Sequence, residues 1–330
     1  MSKASRAVSS LRLATPLLAL ALAGCSAGST AYQVPPDFDS GHSSIVVATT
    51  SAPASLDFTN TSGAAIPQAL MSNVYEGLVR INSEGEIEPL LATGWEVSDD
   101  RLIYTFTLRE GVYFSNGDPF NAASAKFSLD RVKTDWTNGL KSGMDVVDST
   151  EVVDDHTLKV TLSRPSNQWL WNMGTAIGAM MTQGGVDRLA TQPVGTGPYE
   201  LTHWSVGRAI GFEARPDYWG DTPANDAATI RYFSDATATT NALQSGDVDM
   251  IWAMQAPEQL AMLDDYTVAV GTTNGELLLS MNNQRSPFDD VRVRQAVMFA
   301  IDRQAVIDTA LEGYGTDIGG VPVPPTDPWF

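Results

Sequence analysis

The segment from Ile230 to Trp252, IRYFSDATATTNALQSGDVDMIW, holds in order the three elements that decide the class of fold. Ile230–Phe233 contains β-branched and aromatic residues and predicts a short strand. Ala236–Gln244 predicts a helix closed by Gly246, and Val248–Trp252 predicts the next strand. Because a strand, a helix and a second strand in this order form a βαβ unit, the sequence predicts an α/β fold.

The elements on either side of this segment alternate in the same way. Strands are predicted at Ile45–Thr49 and Leu102–Leu108, and a hairpin at Val152–Leu162 that turns at Asp154-Asp155-His156. Helices are predicted at Pro67–Leu78, from an Asn121 cap to about Lys133, after Asp289 or Asp290, and from Asp302 to about Gly313. The helix after Asp290 carries an apolar stripe of Val293, Ala296, Val297, Ala300 and Ile301.

Composition excludes several classes of function. The 330 residues include 20 Lys and Arg against 39 Asp and Glu, so the net charge is −19. Such a chain is not attracted to nucleic acid or to anionic lipid. Three histidines and one cysteine supply no zinc cluster and no intrachain disulfide. We therefore expect no nucleic acid partner, no metal and no cofactor.

The first residues have the pattern of an export signal. Lys3, Arg6 and Arg12 precede an apolar run, Leu13–Ala23, that is too short for a permanent membrane span, so residues 1–24 are predicted to be a signal peptide. Leu22-Ala23-Gly24-Cys25 resembles the bacterial lipobox, which implies a lipid on Cys25. Residues 25–43 are polar and without periodicity, and predict a flexible tether. The body is then expected at the outer face of the cytoplasmic membrane.

The short motifs that match catalytic patterns lack the other residues that those active sites need. Asp39-Ser40-Gly41 matches the aspartic protease pattern, but that chemistry needs a second carboxylate and no second copy exists. Gly195-Thr196-Gly197 is followed by Pro198 and lacks the third glycine of a dinucleotide loop. No nucleophile elbow or Walker loop is present, and His42, His156 and His203 do not pair with a nucleophile. The sequence predicts no enzyme.

Longer sequence blocks lie in a fixed order across the mature chain: Tyr75-Glu76-Gly77-Leu78-Val79, Pro89-Leu90-Leu91-Ala92, Trp95-Glu96-Val97, Tyr104–Val112, Phe114-Ser115-Asn116-Gly117, Val194–Tyr199, Asp217-Tyr218-Trp219-Gly220, Leu243–Asp249 and Pro287–Ala296. In residues and order they resemble one family, the oligopeptide- and dipeptide-binding proteins of ABC importers (family 5). Their glycines suit turns and close backbone approaches, and their aromatic residues suit packing. These blocks therefore mark the fold and not the ligand site.

The resemblance implies a two-lobed fold of the periplasmic-binding-protein type (type II). Residues 44–275 would form the first lobe, with an inserted subdomain at about 75–184. Residues 276–330 would supply a crossing strand and the start of a second lobe, which these 330 residues are expected to leave incomplete.

The resemblance also implies a place for the ligand site. The loop Asn60–Ala65, with Ser62, Gly63 and Ala64, is expected at the mouth of the cleft. Trp252, Ala253, Met254 and Gln255 are expected beside the ligand at the end of a strand, although ordinary core packing of Trp252 is an equal alternative. Glu276 is expected near the first crossing between lobes, where a carboxylate could meet a ligand ammonium group or simply face solvent.

The function implied is capture of a small solute, a peptide, by a monomer that delivers it to the permease subunits of an ABC importer. One alternative is a lipid-anchored sensor with the same fold and no transport role, and another is a non-binding fragment. Peptides, nickel chelates and sugars stay open as solutes at this point.

Overall fold

A computed structural model describes residues 43–61, 63–254, 256–271 and 277–319. Its eleven described strands are β1 Ser44–Thr49, β2 Val79–Ile81, β3 Ile87–Pro89, β4 Ala92–Val97, β5 Ile103–Leu108, β6 Val147–Asp154, β7 Thr157–Leu162, β8 Tyr199–Ser205, β9 Ala209–Ala214, β10 Ala227–Tyr232 and β11 Met250–Ile251. The α-helices described are α1 Ala65–Leu70, α2 Ala122–Thr134, α3 Gln168–Asn172, α4 Ala236–Gln244, α5 Val291–Ala300 and α6 Arg303–Ala310. The 3-10 helices among the described residues lie at Gly139–Met144, Ala176–Gly178, Val186–Arg188 and Pro257–Met262.

The larger sheet contains the βαβ unit predicted from the sequence. Its strand order is β11-β1-β10-β9-β8, and β1 pairs in parallel with both β10 and β11. The helix α4 connects β10 to β11 and has the predicted bounds, Ala236–Gln244. The unit is thus confirmed, with β1 inserted between its two strands. β11 is shorter than the predicted strand Val248–Trp252, because only Met250 and Ile251 pair with β1.

A second sheet has the order β4-β5-β7-β6 and is antiparallel throughout. The predicted hairpin is confirmed as β6 and β7, which flank the turn at Asp155-His156. The helix α2 begins at the predicted Asn121 cap, whose Oδ1 accepts hydrogen bonds from the backbone N–H groups of Ala123 and Ser124 at 3.0 and 3.1 Å. This sheet lies within residues 75–184, while the predicted lobe boundaries stay predictions.

The predicted helix Pro67–Leu78 is wrong in length. The helix α1 ends at Leu70, where Met71 turns to extended backbone and Ser72 takes a φ of 62°. Val74, Tyr75 and Leu78 then enter the main core from irregular backbone, and all three are fully buried. Burial of these side chains overrode the helical spacing of the apolar residues.

Two clusters of buried apolar side chains organise the described residues. The main cluster joins the five-stranded and the four-stranded sheets and includes Trp136, Trp169, Phe58 and Phe106. A smaller cluster joins α4 to β1 and to the segments after α4. It consists of Ala48, Ala242, Leu243, Val248 and Leu263. The helix α5 is capped by Asp290, one of the two predicted caps. It buries none of its residues, and Phe299 near its end is 90% exposed. Across the described residues, none of the helices has the length and apolar character that a membrane crossing requires.

Candidate functional site

The carboxyl ends of the three parallel strands meet at one edge of the larger sheet. β1 ends at Thr49, whose carbonyl oxygen accepts a hydrogen bond from the N–H of Phe233 at 2.9 Å, directly after β10. On its other side, the N–H of Trp252 donates to the carbonyl oxygen of Ala48 at 2.9 Å, directly after β11. Ligands of open α/β sheets bind at this edge, because the connecting loops diverge there and leave a crevice. We call it the carboxyl edge.

Trp252 lies at the carboxyl edge with 36% of its surface exposed. The next residue, Ala253, has a φ of 57° and is itself exposed, so the chain turns sharply after β11. Met254 returns to the protein and packs against the smaller apolar cluster. Of the two alternatives for Trp252, placement in the buried core does not fit this exposure, because a core side chain is removed from water.

Sequence reasoning missed one aromatic residue at the same edge, Phe233. It packs against the smaller cluster, and the guanidinium carbon of Arg231 lies 5.2 Å from its ring centroid. Arg231 also donates a hydrogen bond to the carbonyl oxygen of Asp247 at 2.9 Å, which fixes the cation over the ring. The signal available in the sequence was the position of Phe233 at the end of the predicted strand Ile230–Phe233, although the observed strand β10 ends one residue earlier, at Tyr232.

The predicted loop at the cleft mouth is attached to a different segment of the protein. Asn138 is buried, and its Nδ2 donates to the carbonyl oxygens of Phe58 at 2.6 Å and Thr61 at 3.0 Å. Thr137 Oγ1 donates to Asn60 Oδ1 at 2.9 Å. Gly63 and Ala64 are exposed beyond this attachment. Hydrogen bonds from residues 137–138 therefore hold the loop, and its small residues face solvent.

Four of the residues predicted for binding or lipidation lie outside the described residues: Cys25, Ser62, Gln255 and Glu276. The residues after Glu276 are exposed, Leu277 by 73% and Leu278 by 70%. Within the described part of the chain, no group of three His, Cys, Asp or Glu side chains has an arrangement that could hold a metal ion. His156 lies at the turn between β6 and β7, and His203 lies on β8 in the other sheet.

A buried carboxylate connects three of the sequence blocks that were assigned to the fold. Glu76 Oε2 accepts hydrogen bonds from Thr196 Oγ1 and from Trp219 Nε1, both at 2.9 Å, and Oε1 accepts one from Tyr218 Oη at 2.8 Å. Burial raises the pKa of Glu76, although these three donors and the charge of Arg215 act in the opposite direction. Both carboxylate oxygens of Glu76 accept hydrogen bonds from side chains of the protein itself, which agrees with a structural role for these blocks.

Arg215 extends the same network. Only 5% exposed, it donates to the carbonyl oxygens of Gly195 and Gly197 at 3.3 Å and to that of Tyr113 at 3.1 Å. A buried guanidinium that donates to several carbonyls holds the loops around it in one arrangement, because losing it would remove one donor from each of these three carbonyl oxygens.

An α/β lobe whose candidate ligand edge lies at the ends of parallel strands, with an aromatic side chain at its rim, has the geometry needed to bind a small ligand. Residues 86–330 match the family model of bacterial extracellular solute-binding proteins, family 5, middle part. The chain belongs to this family, and its members are extracytoplasmic binding proteins of transport systems.

Individual relatives agree with this assignment. The chain is 34% identical over 271 residues to the glutathione-binding protein GsiB of Salmonella typhi. This alignment covers 79% of this chain and 52% of GsiB. It resembles the periplasmic binding protein DppA of Helicobacter pylori in complex with the peptide STSA, with a TM-score of 0.72, 28% identity, and coverage of 82% of this chain and 59% of that one. It also resembles AgaA of A. tumefaciens R10 in complex with agropinic acid, with a TM-score of 0.73 and 28% identity. The match covers 86% of this chain and 58% of AgaA.

The chain spans about half the length of the curated relatives it matches, with 52% of GsiB covered. The solved neighbours are two-lobed proteins with mixed α/β sheets, and the 330 residues cover 58% to 59% of DppA and AgaA. The predicted fold class, a two-lobed binding protein with the second lobe incomplete in these residues, is confirmed.

Proposed function

We propose that this protein captures a small peptide outside the cytoplasmic membrane and delivers it to the permease subunits of an ABC importer. In this proposal it acts as a monomer held at the membrane by a lipid on Cys25, and it binds its solute without catalysing a reaction. The peptide is proposed because GsiB is a glutathione-binding protein and DppA was solved with a peptide.

The observation that carries the proposal is the position of Trp252. Trp252 is an aromatic side chain that follows a parallel strand directly and keeps about a third of its surface open at the carboxyl edge. An indole face favours many flat or apolar side chains through dispersion and stacking, without requiring one shape. Met254, two residues further along the chain and only partly buried, has a flexible, polarizable side chain that suits the same tolerance. Together they fit a site that accepts peptides of different sequence.

Capture requires a second wall. A solute seated on the carboxyl edge alone would keep one side in water, whereas closure of a second lobe would remove that side from solvent and add contacts. We propose that Ser62, Gly63 and Ala64 line the mouth of this cleft, that Gln255 lies beside Trp252, and that Glu276 meets the ammonium group of the bound peptide. A carboxylate in that place would supply a charge-assisted hydrogen bond that a neutral solute cannot form.

The test is calorimetry on a chain extended with the second lobe of a relative. Glutathione, dipeptides and a tetrapeptide would be titrated into the parent and into Trp252→Ala. We expect binding to weaken by more than about fivefold, which corresponds to a contact worth more than ~1 kcal/mol. The matched control is Trp171→Ala in α3, since Trp171 is 37% exposed but lies away from the carboxyl edge. Unchanged affinity in Trp252→Ala would contradict the proposed site.

A further inference from the structure

A pocket of about 810 Å³ lies at the edge of the larger sheet opposite to the carboxyl edge. Ala224 and Asn225, just before β10, and Pro198, just before β8, belong to its lining. β10 has six residues, so the two edges are separated by about 20 Å at ~3.3 Å per residue. The pocket is therefore separate from the proposed solute site, and we call it the amino-edge pocket.

Arg109 supplies the charge of the amino-edge pocket. Its Nε donates to the carbonyl oxygen of Leu90 at 2.6 Å, and its guanidinium carbon lies 4.6 Å from the ring centroid of Trp219. These two contacts fix the plane of the guanidinium group. Among the described residues, no hydrogen-bond acceptor occupies its two terminal nitrogens. A guanidinium held in this way presents the pair of parallel N–H donors that matches a carboxylate.

The other charged residues of the pocket limit what it can take. Arg80 Nε and Nη2 lie 2.9 and 2.8 Å from Glu88 Oε2, so an internal carboxylate already balances its charge. Asp221 is exposed at the rim and repels additional negative charge. Arg109 has no ion-pair partner among the described residues and can bind one carboxylate, whereas Asp221 disfavours a second negative charge. The pocket therefore favours a ligand with a single negative charge.

The aromatic residues of the pocket offer flat apolar surface. The hydroxyl of Tyr218 and the indole N–H of Trp219 both point to Glu76, and the hydroxyl of Tyr199 donates to the carbonyl oxygen of Asn225 at 2.9 Å. Because their polar ends are engaged, what these residues offer a ligand is ring surface. The volume lies in the range of small-molecule sites, roughly 300–1,000 Å³.

We propose that the amino-edge pocket is a second binding site, which takes a small monocarboxylate with a flat apolar group. The carboxylate binds the terminal nitrogens of Arg109, and the flat group lies against Tyr218 and the adjoining ring and proline surfaces. The solute of the carboxyl edge is not involved, so the proposal does not depend on the identity of that solute.

The experiment follows Trp219 itself by ¹⁹F NMR on the full chain labelled with 5-fluorotryptophan, with the resonance assigned by its loss in Trp219→Phe. Benzoate, its neutral counterpart benzamide, and acetate are the probes. We expect benzoate to shift the Trp219 resonance saturably, and benzamide and acetate to bind at least about tenfold more weakly, since one lacks the charge and the other the ring.

Variants separate the pocket from the rest of the protein. Arg109→Gln should weaken benzoate binding by about tenfold or more, whereas Arg80→Gln, in the same pocket but balanced by Glu88, should change it by less than about threefold. Ala224→Trp fills the exposed rim while Arg109 itself is kept, and it should also block benzoate, which keeps the test valid if Arg109→Gln does not fold. Trp252→Ala should leave benzoate binding unchanged. Equal binding of benzoate and benzamide, no saturable shift of Trp219, or full binding in Ala224→Trp would overturn the proposal.

Discussion

Replacing Glu76 by leucine removes the acceptor that joins three distant blocks of the chain, and its cost can be worked out from the structure. The change leaves three donors without a partner, Thr196 Oγ1, Tyr218 Oη and Trp219 Nε1. Thr196 is fully buried, so it bears the full penalty of about 1–3 kcal/mol for an unsatisfied buried donor. Tyr218 and Trp219 are half-buried and water can reach them in part, so we count roughly half of that penalty for each.

Leucine also relieves the cost of burying a carboxylate, which offsets part of this loss. We therefore expect Glu76→Leu to lower the free energy of unfolding by about 3 kcal/mol. Urea unfolding followed by tryptophan fluorescence measures it, with the exposed Glu84→Gln as the control, expected within about 0.5 kcal/mol of the parent. A Glu76→Leu protein as stable as this control would refute the assignment of Glu76 as the connection between the blocks.

The pKa of Glu76 adds a pH dependence with a defined sign. Because burial raises this pKa above its ordinary value of 4.5, the folded protein holds the proton more tightly than the unfolded chain does. The stability from this proton is fully present below pH 4.5 and is lost as the pH rises through the raised pKa. Glu76→Gln cannot titrate, so the difference in unfolding free energy between parent and variant should shift in favour of Gln as the pH rises from acid towards neutrality. A difference independent of pH would show that the pKa of Glu76 is not raised.

Three further predictions concern the anchor, the backbone and the second lobe. Cys25→Ser should move the protein from the membrane fraction to the soluble fraction, because lipid chains would be lost; a variant that stays fully in the membrane pellet contradicts lipidation of Cys25. Gly195→Ala should lower the unfolding free energy by at least about 2 kcal/mol, since the added Cβ would lie 1.9 Å from the carbonyl oxygen of Val74, whereas Gly94→Ala, with open space around it, should have little effect. Finally, the 330-residue chain should bind peptides far more weakly than a chain extended by a relative's second lobe, because one wall leaves the solute in water; equal, tight binding by both in calorimetry would contradict the two-lobed mechanism.

Local sequence signals located most of the secondary structure. Asn121, Asp290 and Asp302 each cap the helix that was predicted to follow them, because their side-chain oxygens accept from backbone N–H groups two or three residues ahead. The helix predicted at Pro67–Leu78 failed because Val74 and Leu78 satisfy a helical spacing as well as the irregular path that buries them. Spacing alone does not separate these two outcomes.

The candidate site was only partly predictable. Trp252 was predicted as a site residue because the family pattern puts it at the end of a strand, and its exposure then favoured the rim over the core. Phe233 was missed, since its place at the same edge as Trp252 depends on β1 lying between β10 and β11. A strand order of this kind is a pairing between residues nearly two hundred positions apart, such as Thr49 and Tyr232, and neighbouring residues in the sequence do not reveal it.

The sequence by itself determined the α/β class, the family and the character of an acidic protein with a predicted export signal, because these properties are carried by residue types and by short blocks in chain order. The tertiary structure alone decided that Glu76 meets Tyr218 across 142 residues of sequence, and that Arg109 lies over the ring of Trp219. Both contacts result from the packing of loops around a shared core, where burial of apolar surface brings together groups whose local sequences contain no sign of each other.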